Sequence, residues 1–185
     1  MSEPVTTARP TVTPTQFRTL MSTFPAGVAV VTASEPGGPL RGTTCSSVSS
    51  VSTEPATLLV CLQQDSPTLA ALLGAASFAV NLLHDQAEAV AELFASRVTD
   101  RFDQVRWRHE PCFGGPHLFD GAHTIADCRV AGTALVGDHV VVFGEVFQVS
   151  TPAGPSPNPL LYGLRSYWSL GPVPKAVNTI YSARP

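Results

Sequence analysis

The sequence predicts a mainly β domain of the α+β class, with a few flanking helices. Three observations carry this. Short apolar, β-branched runs recur at 27–32, 56–62, 77–83, 124–135 and 140–149. Pro36-Gly37-Gly38-Pro39 and Val136-Gly137-Asp138-His139 carry tight-turn chemistry between such runs. Helical spacing of apolar residues is confined to brief stretches. At 185 residues the chain suits one domain with one core.

Residues 1–14 are rich in Thr and Pro, with little to bury, and read as a flexible arm. Phe17, Leu20, Met21 and Phe24 then fall on one face of a helix that Thr15 would cap and Pro25 would end. The run 27–32 is a first core strand, and the turn at 36–39 leads into a second arm of the same hairpin. That arm, 42–55, is almost entirely small and hydroxyl-bearing, with Glu54 its only charge. Its Thr and Val residues favour a strand. Hydroxyls both donate and accept, which suits a flat polar ligand edge mixing C=O, N and N–H groups. A Ser/Thr-rich edge strand with no ligand fits the same composition.

After the apolar strand at 56–62, Ser66-Pro67 opens a helix over 69–73, with Ser66 at the cap and Pro67 at the first helical position. A helix start exposes free N–H groups and partial positive charge, where a phosphate would sit; an ordinary cap fits equally. Asn81 is the one polar residue inside the strand 77–83, and a buried amide must find partners. Residues 84–94 form an amphipathic helix with Ala87, Val90, Ala91 and Phe94 on one face. The loop 97–107 holds Arg97, Arg101, Arg106, Phe102 and Trp107, with Arg97 and Arg106 read as solvated. Residues 111–121 are a connecting loop. The strands at 124–135 and 140–149 form a hairpin, and Gly144 marks a bulge in the second. A Pro-rich loop, an aromatic segment at 159–168 and a tail at 171–185 complete the chain.

The order Gly-x-Thr-x-Ser-Ser-x-x-Ser-Val-Ser-x-Glu-Pro at 42–55 resembles the flavin-contacting strand and loop of the flavin reductase family, the small reductase partners of two-component flavin monooxygenases. Asp65-Ser66-Pro67-Thr68, Phe78-Ala79-Val80-Asn81-Leu82-Leu83, Gln86, Phe94-Ala95, Asp100-Arg101-Phe102, Gly137-Asp138-His139 and Tyr162-Gly163-Leu164-Arg165-Ser166-Tyr167 follow in that family's order. The resemblance covers residues 17–170. It implies a split β-barrel, Greek-key-like, over residues 15–170, and hydride transfer from NADH or NADPH to FMN or FAD. It places Ala26, Gly27, Val28, Thr43, Thr44, Cys45, Ser46, Ser47, Ser50, Val51 and Ser52 by the flavin ring. It puts Ser66 and Thr68 at the ribityl phosphate, and Arg101 and Phe102 on the flavin side. Asn81 either touches the flavin or pins its loop. His139 lies on the nicotinamide side as the catalytic candidate, with Tyr162 and Tyr167 near the dinucleotide. Two departures stand out. Gln64 and Asp65 occupy an approach where relatives carry a basic residue, which leaves Arg101 as the candidate cation. Gly163-Leu164 and Trp168 replace the commoner aromatic-Gly-Arg-Tyr form.

Other function classes fit less well. There is no basic run for nucleic acid. The longest apolar stretch, 69–83, is interrupted and shorter than the roughly 20 residues of a membrane helix. Cys45, Cys61, Cys112 and Cys128 have no metal-ligand spacing. His109, His117 and His123 read as surface or loop residues rather than metal ligands. With no export signal, the thiols are expected to be free and the protein cytoplasmic. Charged residues make up only 14% of the chain, which points to a covered surface and a homodimer. No Gly-x-Gly-x-x-Gly follows a strand, so a Rossmann cradle is not expected. A non-redox flavin binder, a barrel acting on a secondary metabolite without nucleotide, or a heme or pyridoxal-phosphate relative would share the architecture. NADH binding and the absorption spectrum separate them.

Overall fold

The computed structural model describes residues 11–35, 37–152 and 158–171. The expected arm and tail therefore fall mostly outside the described residues. Elements follow in the order α1 (Pro14–Ser22), β1 (Ala26–Gly27), β2 (Ala29–Ser34), β3 (Leu40–Cys45), β4 (Ser49–Thr53), β5 (Ala56–Gln63), α2 (Pro67–Ala75), β6 (Ser77–Leu83) and α3 (Glu88–Ala95). A 3-10 turn at Arg101–Gln104 precedes β7 (Trp107–Arg108), β8 (His117–Leu118), β9 (Ala122–Val136), β10 (His139–Ser150), β11 (Leu160–Gly163) and β12 (Ser166–Ser169).

The main sheet has seven strands in the order β3-β2-β6-β9-β10-β5-β4, every pairing antiparallel. Its two edge strands, β3 and β4, are consecutive in the chain and joined only through Ser46, Ser47 and Val48. Such a link spans at most about 14 Å. Seven strands laid flat would separate those edges by roughly 29 Å. The sheet must therefore curl until its ends approach, which is the split barrel. Main-chain pairing does not bridge the gap. The Ser47 hydroxyl ties the link to β5: it accepts from the Cys61 N–H and donates to the Cys61 carbonyl, both at 3.1 Å.

The core inside the curl is built from the inward residues Val31, Val60, Leu62, Leu69, Leu72, Phe78, Val80 and Val142. A second cluster, with Val28, Val30, Leu83, Ala91, Phe94, Leu118 and Leu160, packs α3 against the outside of the sheet. Gly144 sits at a register shift in β10, as its place in the strand predicts, and Phe78 explains it: a Cβ there would meet the Phe78 ring at 2.5 Å.

Several expectations are corrected. The cap of α1 is Thr13, which forms a reciprocal capping box with Gln16 and sets Pro14 in the first turn. The apolar face of α1 is exposed: Phe17, Leu20, Met21 and Phe24 are 56%, 62%, 45% and 67% accessible. α3 begins at Glu88 rather than residue 84. His117 is not a surface histidine. It is buried, stacked on Phe113 at 3.7 Å between ring centroids, and 2.8 Å from Asp127 Oδ1. Gly114 N–H donates to the same oxygen at 2.7 Å.

The hairpin β11–β12 turns through Leu164 and Arg165, both with positive φ (51° and 61°). Two-residue turns of this kind favour Asn and Gly, because a Cβ crowds the backbone there. The Leu164 N–H donates to Ser22 O at 2.6 Å, tying the turn to the end of α1. Arg165→Gly is therefore expected to raise the melting temperature by a few degrees, from about 0.5–1 kcal/mol of relieved strain. A calorimetric melt that does not rise would contradict this account of the turn.

Candidate functional site

A cleft of about 430 Å³ opens where β3 meets the start of α2 and the loop after α3. Leu40, Arg41, Gly42 and Thr43 of β3 line it, facing Ser66, Pro67 and Thr68 at the start of α2. Arg97, Val98, Thr99, Arg101 and Phe102 come from the loop, and Gln63 and Asp65 from the end of β5.

The loop is held by residues of the hydroxyl-rich strand. The Thr44 hydroxyl donates to Ala91 O at 2.6 Å, fixing α3 against β3. Gly42 gives the Phe94 ring its place, since a Cβ would lie 2.7 Å from it. Arg101 is held by four backbone carbonyls. Its Nε donates to Val98 O (2.6 Å), Nη1 to Gly42 O (2.8 Å) and Phe94 O (3.5 Å), and Nη2 to Ser96 O (2.5 Å). Phe102 packs edge-on between Phe94 and Trp107.

At the α2 start, Ser66 takes the cap position but its side chain makes no capping hydrogen bond. Thr68, 3% exposed as a residue, lines the cleft beside it. Arg41 and Arg97 are exposed and unpartnered among the described residues, whereas Arg106 and Arg108 pair with Asp120 and Glu110.

His139 opens β10 directly opposite Gln63, one strand from the cleft wall. Its Nδ1 lies 2.8 Å from Asp138 Oδ1. That hydrogen bond holds the Asp138 carboxyl below its ordinary range. A neutral imidazole that donates from Nδ1 keeps Nε2 as an acceptor. A second opening beside the cleft is lined by Gln63, Gln64, Asp65 and Asp138.

A flavin reductase like domain matches residues 21–171 of the chain. The chain belongs to the flavin reductase family. It is 47% identical over 156 residues to the flavin reductase (NADPH) of Lentzea aerocolonigenes, covering 84% of this chain and 89% of that protein. It also resembles the NADH:FAD oxidoreductase SgcE6 of Streptomyces globisporus C-1027, solved in complex with NAD and FAD fragments. There the TM-score is 0.78 and the identity 30%, over 86% of this chain and 93% of that one. The styrene monooxygenase flavin reductase of Pseudomonas putida S12 aligns with TM-score 0.74 and 29% identity, over 85% and 99% of the two chains. These flavin reductase structures carry the split barrel.

Within this flavin reductase fold the expected site residues divide into groups. Thr43, Ser66, Thr68, Arg101 and Phe102 meet in the cleft. Ser46, Ser50, Val51 and Ser52 form an exposed strip along the β3–β4 link and β4, outside its lining. Thr44 and Ser47 spend their hydroxyls on Ala91 and Cys61. Cys45 is buried; burial pushes its thiol up, so it stays protonated at neutral pH. Asn81 is held by protein groups. It is fully buried, with Nδ2 donating to Val30 O, Thr32 Oγ1 and Pro116 O, and Oδ1 accepting from Leu118 N–H. It pins the loop before β8. Ala26 and Gly27 pair with Tyr162 and Leu161, and Val28 is buried in the second cluster, so none of the three lines the cleft. Tyr162 and Tyr167 pack edge-to-face at 5.2 Å on the β11–β12 ladder, also outside it. Burial, then Glu92, raises the Tyr167 phenol, which places that ring beside α3.

Arg41 and Arg97 are the residues sequence reasoning missed. Arg41 precedes the hydroxyl motif by one residue and Arg97 reads as a solvated loop charge, so only their convergence in space distinguishes them. The donor set of hydroxyls and unpartnered guanidiniums fits a phosphate-bearing flavin.

Proposed function

We propose that this protein is an NAD(P)H-dependent flavin reductase that supplies reduced flavin to a partner monooxygenase. The observation that carries the reading is the cleft at the start of α2. It combines the Ser66 and Thr68 hydroxyls with two guanidiniums that have no partner among the described residues, in a chain of this family. When bound, FMN or FAD accepts a hydride from the nicotinamide of NADH or NADPH, and that chemistry is the cofactor's own. The chain's part is to bind and orient. Thr43 and the serine strip at Ser46, Ser50 and Ser52, with the Val51 backbone, offer donors to the polar edge of the ring, where negative charge grows on reduction. Ser66 and Thr68 take the phosphate end. His139, its Nδ1 tied to Asp138, keeps Nε2 on the nicotinamide side to orient the carboxamide or balance charge, and Tyr162 and Tyr167 flank the entering dinucleotide.

The working unit is residues 15–170, and it acts in the cytoplasm as a homodimer. The support for a second copy is the exposed apolar face of α1, adjoined by Leu164 and Trp168, which are 63% and 53% accessible. Light scattering at micromolar concentration should give twice the chain mass.

Steady-state oxidation of NADH and of NADPH with added FMN and FAD is the direct test. Flavin-dependent turnover is expected, and none with any of the four pairings would end the proposal. His139→Asn should slow hydride transfer in stopped-flow by about 100-fold, the low end for a positioned acid–base group. Flavin affinity should stay within about twofold, since His139 lies one strand from the cleft. Equal loss of flavin affinity would move His139 to the flavin side.

A further inference from the structure

Arg101 commits four of its five N–H donors to the carbonyls of Val98, Gly42, Phe94 and Ser96. The guanidiniums that line the cleft with no partner among the described residues are those of Arg41, on β3, and Arg97, on the loop after α3. Thr68 lines the same cleft. Asp65 also lines the cleft, so the two guanidiniums exceed the acidic charge there by one.

A second cleft of about 230 Å³ continues from the first. The two share Arg41 and Pro67. The second is lined further by Glu35, Pro39, Ala70 and Ala71. Proline and alanine faces suit a flat aromatic base, and a carboxylate accepts from sugar hydroxyls. Arg41 stands at the junction. A flavin that ends in one phosphate would stop there and leave the second cleft unused. A flavin continued through a diphosphate would place two phosphates between Arg97 and Arg41 and carry its adenosine over Pro67.

We infer that the cleft selects FAD over FMN, with Arg41 and Arg97 bracketing the diphosphate and the adenosine held between Arg41, Pro39 and the first turns of α2. This rests on the reading of the cleft as a flavin site. Arg101 is then a positioning residue that shapes the loop presenting Arg97.

The test is isothermal titration of the full-length protein with oxidised riboflavin, FMN and FAD, without nucleotide. The wild type should bind FAD about tenfold more tightly than FMN, a difference of about 1.4 kcal/mol. Arg97→Ala should weaken FMN and FAD alike by about tenfold. Arg41→Ala should weaken FAD by about tenfold and FMN by less than about threefold. Ala70→Leu, which fills the second cleft, should weaken FAD alone. Riboflavin affinity should move by less than about twofold in all three variants, because riboflavin carries no phosphate. Both arginines are exposed and unpartnered, so their removal leaves the fold intact, and thermal melts check this. Equal affinity for FMN and FAD in the wild type overturns the inference, as do arginine variants that leave both unchanged. In each case riboflavin binding would keep the flavin reading alive. No binding of any of the three flavins would remove both.

Discussion

Gly115→Ala is expected to leave the protein unable to fold stably, and Gly114→Ala to do nearly the same. The segment through these glycines crosses the sheet in direct backbone contact. A Cβ on Gly115 would lie 2.3 Å from Thr32 O and 2.9 Å from the Ala79 nitrogen; on Gly114 it would lie 2.3 Å from Phe78 O. All of these are main-chain atoms of packed strands, so no side chain can swing away. Relief requires lifting the segment, which breaks the bonds from Thr32 and Asn81 to Pro116 O at 2.6 and 3.3 Å. Overpacking against backbone plus unpaired buried polar groups should cost about 4 kcal/mol or more. That is a large part of the roughly 5–15 kcal/mol that holds a domain folded. Urea unfolding followed by circular dichroism reads the result. A soluble variant with an unchanged midpoint would show that the segment is not seated as described.

The second large effect is expected at Arg101. Arg101→Ala removes the charged donor shared by four backbone carbonyls, and should cost about 2–4 kcal/mol. For a domain of this size that lowers the melting temperature by roughly 5–15 °C. Arg101→Lys should recover little, because an ammonium is a point charge and cannot replace a planar fork directed at separated acceptors. The outcome separates two roles. A residue that only neutralises a ligand would cost little stability when removed, so a variant that melts like the wild type would return Arg101 to the ligand's side.

The barrel was readable from the sequence because its strands advertise themselves. Phe78 to Val80 could be placed as a core strand from side-chain type alone, and all three are buried; of Val140 to Phe143, Val142 is buried and Val140 packs against the core. The hairpin turn at Gly137-Asp138 and the bulge at Gly144 were legible for the same reason: each needs a residue with special backbone freedom or no side chain. What was illegible depends on distant partners. His117 looks like a loop histidine until Asp127 and Phe113 close around it. Asn81 carries no mark in its own neighbourhood that Leu118, Val30 and Pro116 will consume its amide. The stripe of Phe17, Leu20, Met21 and Phe24 has helical spacing, but spacing does not say whether the chain itself covers that face. Arg101 and Arg97 are indistinguishable by type, and four carbonyl distances decide which is free.

The bond from Thr32 to Pro116 joins residues 84 positions apart, and β10 does not pair with β5 until residues beyond 139 have been made. A nascent chain emerging from the ribosome therefore carries β5 without its partner β10, and Thr32 without Pro116. Such non-local wiring belongs to the slow end of folding, on the order of milliseconds to seconds. Truncations that stop short of β10 should be captured by holdase chaperones rather than accumulate as compact fragments.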